Sequence, residues 1–412
     1  MQRRVVITGI GLTSPLGDSP DDVSRALREQ RHGIVSMPWA EIDGLRTRVA
    51  APAAAVDLSH FSRKRIRTMG RVSLLASYAT ERAIRDAGID EETLQSGRLG
   101  LAYGSTHGSS SELEAFMRTL LGSRGLPGLS GTAYLKFMSH TCAANLALCY
   151  GIRGRVIPTI SACASGSHAL GTGFETIRSG LQDVMLCGGA EELHFVHAAI
   201  FDIMFATSTK FNEAPHETPR PFDRARDGLV VGEGAGTLVL EDEQRARQRG
   251  AHIYGELLGF GMSCDGTHVT SPSAQGMASA MRLALADANV AASELDYVNA
   301  HGTATELGDI AETEATYAVV GEGVPFGSTK SYTGHTLGAC GAHEMIFCLL
   351  MARDGFLPAN RNLESVDPRC APLGYIMGNT RECRPRMMMS NNFAFGGINT
   401  SLLVRCGDPA RP

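Results

Sequence analysis

Several things are scarce in this chain. Its 412 residues hold 1 tryptophan and only 6% aromatic residues. The 10 cysteines are scattered with no C-x-x-C pair, which argues against a disulfide-stapled secreted scaffold and against structural zinc and favours reduced thiols in a cytoplasmic setting. Long apolar runs are missing too. The longest, Met345 to Ala352, is far short of the roughly 20 residues a membrane span needs. The basic N-terminus is followed by apolar residues broken at Gly9, Gly11 and Pro15 before a signal-peptide core could form, so no membrane insertion is expected. There is no Walker A motif and no well-placed G-x-G-x-x-G, which leaves nucleotide binding without support. A net charge of -5 provides no overall attraction for nucleic acid or an anionic membrane.

What remains is an ordinary globular composition, 43% hydrophobic and 20% charged, long enough for two cores or one large duplicated one. Strand-like runs at 5–11, 99–104, 156–160 and 184–189 alternate with helical patterns at 21–29, 72–87, 113–121 and 164–178. The rhythm returns after residue 250, with strands at 253–261 and 297–300, helices at 276–288, 310–317 and 336–353, and final strands around Ser390 and at 402–404. Such alternation predicts an α/β layered fold with mostly parallel central strands. No linker interrupts it, so a single unit of two similar halves, 1–250 and 251–412, is expected. The 47 glycines fit close backbone approaches in a crowded core.

Three turn-bounded motifs carry chemistry. Ala162-Cys-Ala-Ser-Gly-Ser-His168 follows an apolar run and opens a helix, so Cys163 sits at a helix N-terminus, where amide N–H groups and the dipole favour thiolate. Asn299-Ala-His-Gly-Thr303 and Lys330-Ser-Tyr-Thr-Gly-His335 place His301, Lys330 and His335 just past strands. A thiol with such partners reads as an activated nucleophile. Lys330 is one of only four lysines among 38 basic residues. By contrast His194 and His197, the one close histidine pair, lack a third ligand at a usual spacing and read as a satisfied loop or helix end.

These motifs, together with Arg220-Pro-Phe-Asp223, Gly232-Glu-Gly-Ala-Gly236 and Phe393-Ala-Phe-Gly-Gly-Ile-Asn399, resemble the β-ketoacyl-[acyl carrier protein] synthases, closest to the synthase II type, in family order over nearly the whole chain. The resemblance implies a thiolase-like five-layered α/β/α/β/α fold and a decarboxylative Claisen condensation. An acyl group on Cys163 would join malonyl carried on a phosphopantetheine arm, and no cofactor would perform the chemistry. It implies an oxyanion hole from the N–H groups of Cys163 and Phe395, with Phe395 also gating the pocket. His301 and His335 would donate to the enolate, and Lys330 with Glu312 would support them. Thr303 and Thr305 would bind the pantetheine arm, with His107 in the acyl pocket. Lys64, Arg67 and Lys210 would dock an acidic acyl carrier protein, and Asn299, Glu344, Ser390 and Asn391 could surround a monovalent cation. The expected assembly is a homodimer or a heterodimer with a chain-length-factor-like subunit.

Departures from the family pattern bear on the substrate. Ala394 stands in place of a glycine, Glu306-Leu307 where a proline is usual, and Ser105-Thr-His-Gly108 is polar where acyl-pocket residues are expected. They suggest a specialised pathway, such as aryl polyene or polyketide synthesis, with housekeeping fatty-acid synthesis as the alternative. Two rivals stay open: a thiolase acting on coenzyme A thioesters, and a non-catalytic chain-length factor.

Overall fold

The computed structural model describes residues 2–407. Eleven strands form one sheet, and its order explains the repeated rhythm of the sequence. On one side Val156–Pro158, Leu99–Gly104, Val184–Glu191, Gly234–Asp242 and Val5–Thr13 lie in succession. On the other, Pro325–Gly327, Tyr297–Asn299, Met387–Ala394, Ile398–Cys406 and Gly255–Cys264 repeat that arrangement, with Gly374–Tyr375 added at the edge. In each set the outer three strands pair in parallel and the inner two join antiparallel. The sheet is therefore mixed rather than mostly parallel. Val5 to Ile7 pair antiparallel with Gly255 to Leu257 and join the two sides.

The strand Gly234–Asp242 is absent from the pattern read from sequence, because its glycine-rich opening looks like a loop. Buried throughout except at Asp242, it pairs with both of its neighbours. The helices Thr141–Tyr150 and Phe195–Ile203 are likewise additions.

Helices make the remaining layers. Arg71–Ala87 covers Val5–Thr13 on one outer face, and Ala274–Ala288 covers Gly255–Cys264 on the other. Between the two sides of the sheet lie Ser165–Arg178 and Cys340–Asp354, completing five layers. Cys340–Asp354 is buried without a break from Cys340 to Met351, its polar members paired inside, Glu344 with Lys330 and His343 with Thr336 and the Thr13 carbonyl. Among the described residues no helix is long and apolar enough to cross a membrane.

The two central helices touch through matching glycines. A Cβ on Gly166 would lie 2.9 Å from the Ala342 nitrogen, and one on Gly341 would lie 2.5 Å from the Ser167 nitrogen. Side chains there would push the helices apart, so these glycines bring both N-terminal ends together at the centre of the molecule. That contact builds the site.

Candidate active site

Cys163 lies in the 3-10 turn Ala162–Ala164 that leads into the helix Ser165–Arg178. The turn is strained at its first residue, since Ala162 has φ +48°, a region that disfavours a side chain. Hydroxyls hold it: Ser165 Oγ donates to the Ala162 carbonyl at 2.7 Å and Ser167 Oγ to the Ala164 carbonyl at 3.0 Å. The Cys163 sulfur faces a cavity of about 540 Å³, also lined by His301, His335, Thr303, Thr305, Phe395 and Lys210.

The sulfur and one ring nitrogen each from His301 and His335 lie within 4.8 Å of one another, the rings meeting edge to face at 5.1 Å between centroids. His301 Nδ1 and both nitrogens of His335 have no hydrogen-bond partner among the described residues. Burial, with Lys330 adding to it, holds both imidazoles well below the usual histidine pKa, so both stay neutral. A neutral imidazole can donate from one nitrogen and accept at the other. A divalent metal could bridge the same three atoms, but the fixed charge of Lys330 opposes a second cation there.

Burial pushes the Cys163 thiol up to about 12. Lys330 and the N–H groups of Cys163 and Phe395 work in the opposite direction but are outweighed. The thiolate expected from the helix N-terminus is thus not the resting form. A buried site with one helix end exposed to it penalises the charge more than the dipole favours it. Deprotonation then has to accompany acyl transfer, and a neutral histidine within 4.8 Å is a suitable acceptor. The backbone N–H groups of Cys163 and Phe395 both act on the sulfur, which puts two amide donors beside the reacting atom.

Lys330 is 1% exposed and forms a buried ion pair with Glu344. Burial opposes its charge, yet Glu344, with Cys340 and Glu312 adding to it, leaves the lysine pKa raised. Its partner is therefore Glu344, not Glu312. Glu312 instead accepts the backbone N–H of His301 at 2.7 Å and of Gly302 at 2.6 Å, fixing the loop that carries the histidine. Burial lifts the Glu312 carboxyl to about 8. Asp309, unnoticed in the sequence, accepts the N–H of Ala304 and of Phe222 and braces the same loop.

The four residues expected around a cation fit one in part. Asn299 and Ser390 face each other in register on paired strands, and their side-chain polar atoms are buried without partners among the described residues. Asn391 follows Ser390, its Oδ1 accepting from Ser401 and its Nδ2 likewise without a partner among them. Glu344 is already committed to Lys330 and Asn392, so it is not a free ligand.

His107 does not line the cavity containing Cys163. It stacks on His197 with centroids 4.3 Å apart, and its segment is anchored on buried Glu191: Ser105 Oγ and the N–H groups of Thr106 and His107 all donate to that carboxylate. The Ser105 hydroxyl and two amides of the segment are thereby used inside the protein, whereas Thr106 Oγ1 and His107 Nδ1 are buried without a partner among the described residues. His194 caps the helix Phe195–Ile203 and reaches Glu114, while His197 bonds Ser110 through Nε2 at 2.8 Å and its buried Nδ1 has no partner among the described residues. Ala394 is not among the residues with positive φ, so replacing a glycine there introduces no strain. Thr303 and Thr305 share a 2.9 Å hydrogen bond in the cavity wall. Lys64, Arg67 and Lys210 are exposed and form no ion pair with the described residues, Lys210 at the cavity and the other two away from it.

A layered duplicated fold with a cysteine at a helix N-terminus, two neutral histidines and a buried lysine defines a thiolase-like acyltransferase. The N-terminal domain of the β-ketoacyl synthases matches residues 2–246 and their C-terminal domain residues 254–364. The chain belongs to the β-ketoacyl synthase family. It is 37% identical to 3-oxoacyl-[acyl-carrier-protein] synthase 1 of Haemophilus influenzae over 98% of this chain and 99% of that one. Among solved structures it is similar to a β-ketoacyl synthase from Burkholderia phymatum, with TM-score 0.96 and 49% identity over 99% of this chain and 100% of that one. It is also similar to the ishigamide ketosynthase/chain length factor, with TM-score 0.90 and 31% identity over 99% and 100% of the two chains.

Proposed function

We propose that the chain is a β-ketoacyl-[acyl carrier protein] synthase that loads an acyl group on Cys163 and condenses it with a malonyl unit on a phosphopantetheine arm. The observation that carries this reading is the Cys163 sulfur within 4.8 Å of two neutral imidazoles, with Lys330 buried beside them. In the first step the thiol attacks the incoming thioester, a histidine takes its proton, the amides of Cys163 and Phe395 stabilise the oxyanion, and collapse of the intermediate expels the carrier's thiolate, which takes the proton back from the histidine. In the second, loss of carbon dioxide leaves an enolate whose oxygen accepts from His301 and His335. The enolate carbon then attacks the acyl thioester and releases Cys163. Donors set for a charge that appears only late favour the transition state over the ground state. Lys330 holds a constant positive potential over both steps.

Thr303 and Thr305 suit the pantetheine arm, and Lys210 at the mouth suits an acidic carrier, with Lys64 and Arg67 as further contacts. The two halves, 1–250 and 251–412, each supply one side of the site. A homodimer is supported by the edge strand Val156–Pro158 and by a helix that exposes Leu113, Met117 and Leu121; a chain-length-factor-like partner would use the same surface.

The substrate preference rests on narrower ground, since Ala394 is unstrained and residues 105–108 are braced by Glu191. The aromatic pair Phe201 and Phe395, 5.8 Å apart in the cluster that includes Cys163, favours flat conjugated or aryl acyl groups. Intact-mass analysis after incubation with saturated, polyenoyl and aryl acyl carriers tests both levels. Acylation of Cys163, absent in Cys163→Ala, followed by malonyl-dependent release of a β-ketoacyl carrier supports the synthase. Faster loading of C10 to C14 saturated groups would assign housekeeping fatty-acid synthesis instead.

A further inference from the structure

The elbow that carries Cys163 presents three successive carbonyls, and each has its own donor. Those of Ala162 and Ala164 are held by Ser165 and Ser167, both on the helix that the elbow opens. The carbonyl of Cys163 itself is held from the other half of the molecule: the Cys340 thiol donates to it at 3.2 Å. Cys340 is the first residue of the facing central helix, 2% exposed, with its thiol pushed far up by burial and therefore a donor under ordinary conditions.

The same sulfur accepts from Asn392 Nδ2 at 3.5 Å, and that amide also donates to Glu344 Oε2 at 2.7 Å. Glu344 in turn holds Lys330. One continuous chain of polar contacts thus runs from the peptide of the nucleophile through Cys340 and Asn392 to the lysine ion pair. The peptide after Cys163 is fixed at both ends, because the Ala164 N–H also donates to the Ser161 carbonyl at 3.0 Å.

We propose that Cys340 is a positioning residue: its thiol clamps the Cys163 carbonyl and ties the strained elbow to the Lys330–Glu344 pair, keeping the nucleophile's sulfur aligned with the amides of Cys163 and Phe395. Without the clamp, the peptide following Cys163 turns more freely and the sulfur loses amide hydrogen bonds that favour its thiolate. The inference rests on Cys163 being the nucleophile, but it does not depend on the acyl substrate.

The test uses iodoacetamide as the probe on the full-length protein, with alkylation at Cys163 followed by peptide mass across pH 6 to 11, since exposed Cys264 also reacts. Cys340→Ala is expected to shift the Cys163 alkylation profile to higher pH and lower its rate at pH 8 several-fold, whereas Cys340→Ser, which restores a donor, stays within about twofold of the parent. With an acyl carrier that loads, the same Ala variant lowers kcat with KM little changed. Should Cys340→Ala not fold, Cys340→Val fills the volume without a donor and takes its place. Profiles that coincide for the parent and the donor-less variant overturn the proposal, as does a Ser variant as impaired as Ala. If Cys163 alkylates as expected but no acyl group loads, the clamp stands and the synthase reading falls.

Discussion

Two 3-10 turns at the heart of the molecule share one backbone and carry different residues. Ala162–Ala164 leads into Ser165–Arg178, and Leu337–Ala339 leads into Cys340–Asp354. Each begins with a non-glycine residue at positive φ, Ala162 at +48° and Leu337 at +47°. Each places a glycine, Gly166 or Gly341, at the crossing of the two helices. At the second position of the turn the copies diverge, with Cys163 in the first and Gly338 in the second. The N–H of Gly338 donates to Glu191, and a Cβ there would lie 2.8 Å from the Thr106 nitrogen and 2.9 Å from Glu191 Oε2. One turn opens on the cavity and bears the nucleophile, while its copy is closed by the loop that Glu191 anchors. The two similar halves present two equivalent helix ends, and packing against one of them decided which could hold a reactive side chain. The second half contributes His301 from a loop, Lys330 from the one-turn helix Lys330–Thr333 and His335 from the segment leading into its own turn.

The largest effect that separates the two sides is expected from Glu344→Gln. It leaves Lys330 charged and buried without its counter-ion, a loss of about 3–5 kcal/mol of stability. Chemical denaturation measures it, and a loss below about 1 kcal/mol would show that the pair is not the anchor of the second half. Next come His301→Ala and His335→Ala. Each should slow malonyl decarboxylation by about 10²–10³-fold, as for one missing oxyanion donor, while Cys163 still accepts acyl groups from a carrier because the remaining histidine can take the thiol proton. Equal loss of loading and decarboxylation in both variants would assign the histidines to the nucleophile's side instead. The smallest effect belongs to the closed turn: Gly338→Ala should cost about 1–3 kcal/mol through crowding against residues 105–106 and Glu191. A thermal melt unchanged from the parent would mean that the two turns are equally open.

Much of the site was legible because its motifs are local. Cys163 and His301 each follow a short strand in a Gly-, Ser- or Thr-rich turn, His335 follows the one-turn helix Lys330–Thr333, and the structure brings all three within 4.8 Å. Long-range partners were less visible. Glu344 looked like a cation ligand and Glu312 like the companion of Lys330, because sequence spacing does not show which carboxylate a buried ammonium meets. The strand Gly234–Asp242 was hidden for a related reason, since glycines that permit close packing also look like turn residues. His107, expected in the acyl pocket, stacks on His197 because Glu191 draws in the whole of its loop.

The amino-acid sequence by itself determined the alternation of strands and helices, the turn chemistry that exposes a cysteine at a helix end, and the residue types needed for acyl transfer. These depend on neighbours within a few positions, where periodicity and turn preference act. Tertiary structure alone decided the ionisation state of that cysteine, the partner of Lys330 and which of two equivalent turns is open to the cavity. Each of those depends on what packs around a group from far along the chain. Burial sets the cost of a charge, and burial is a property of the whole fold.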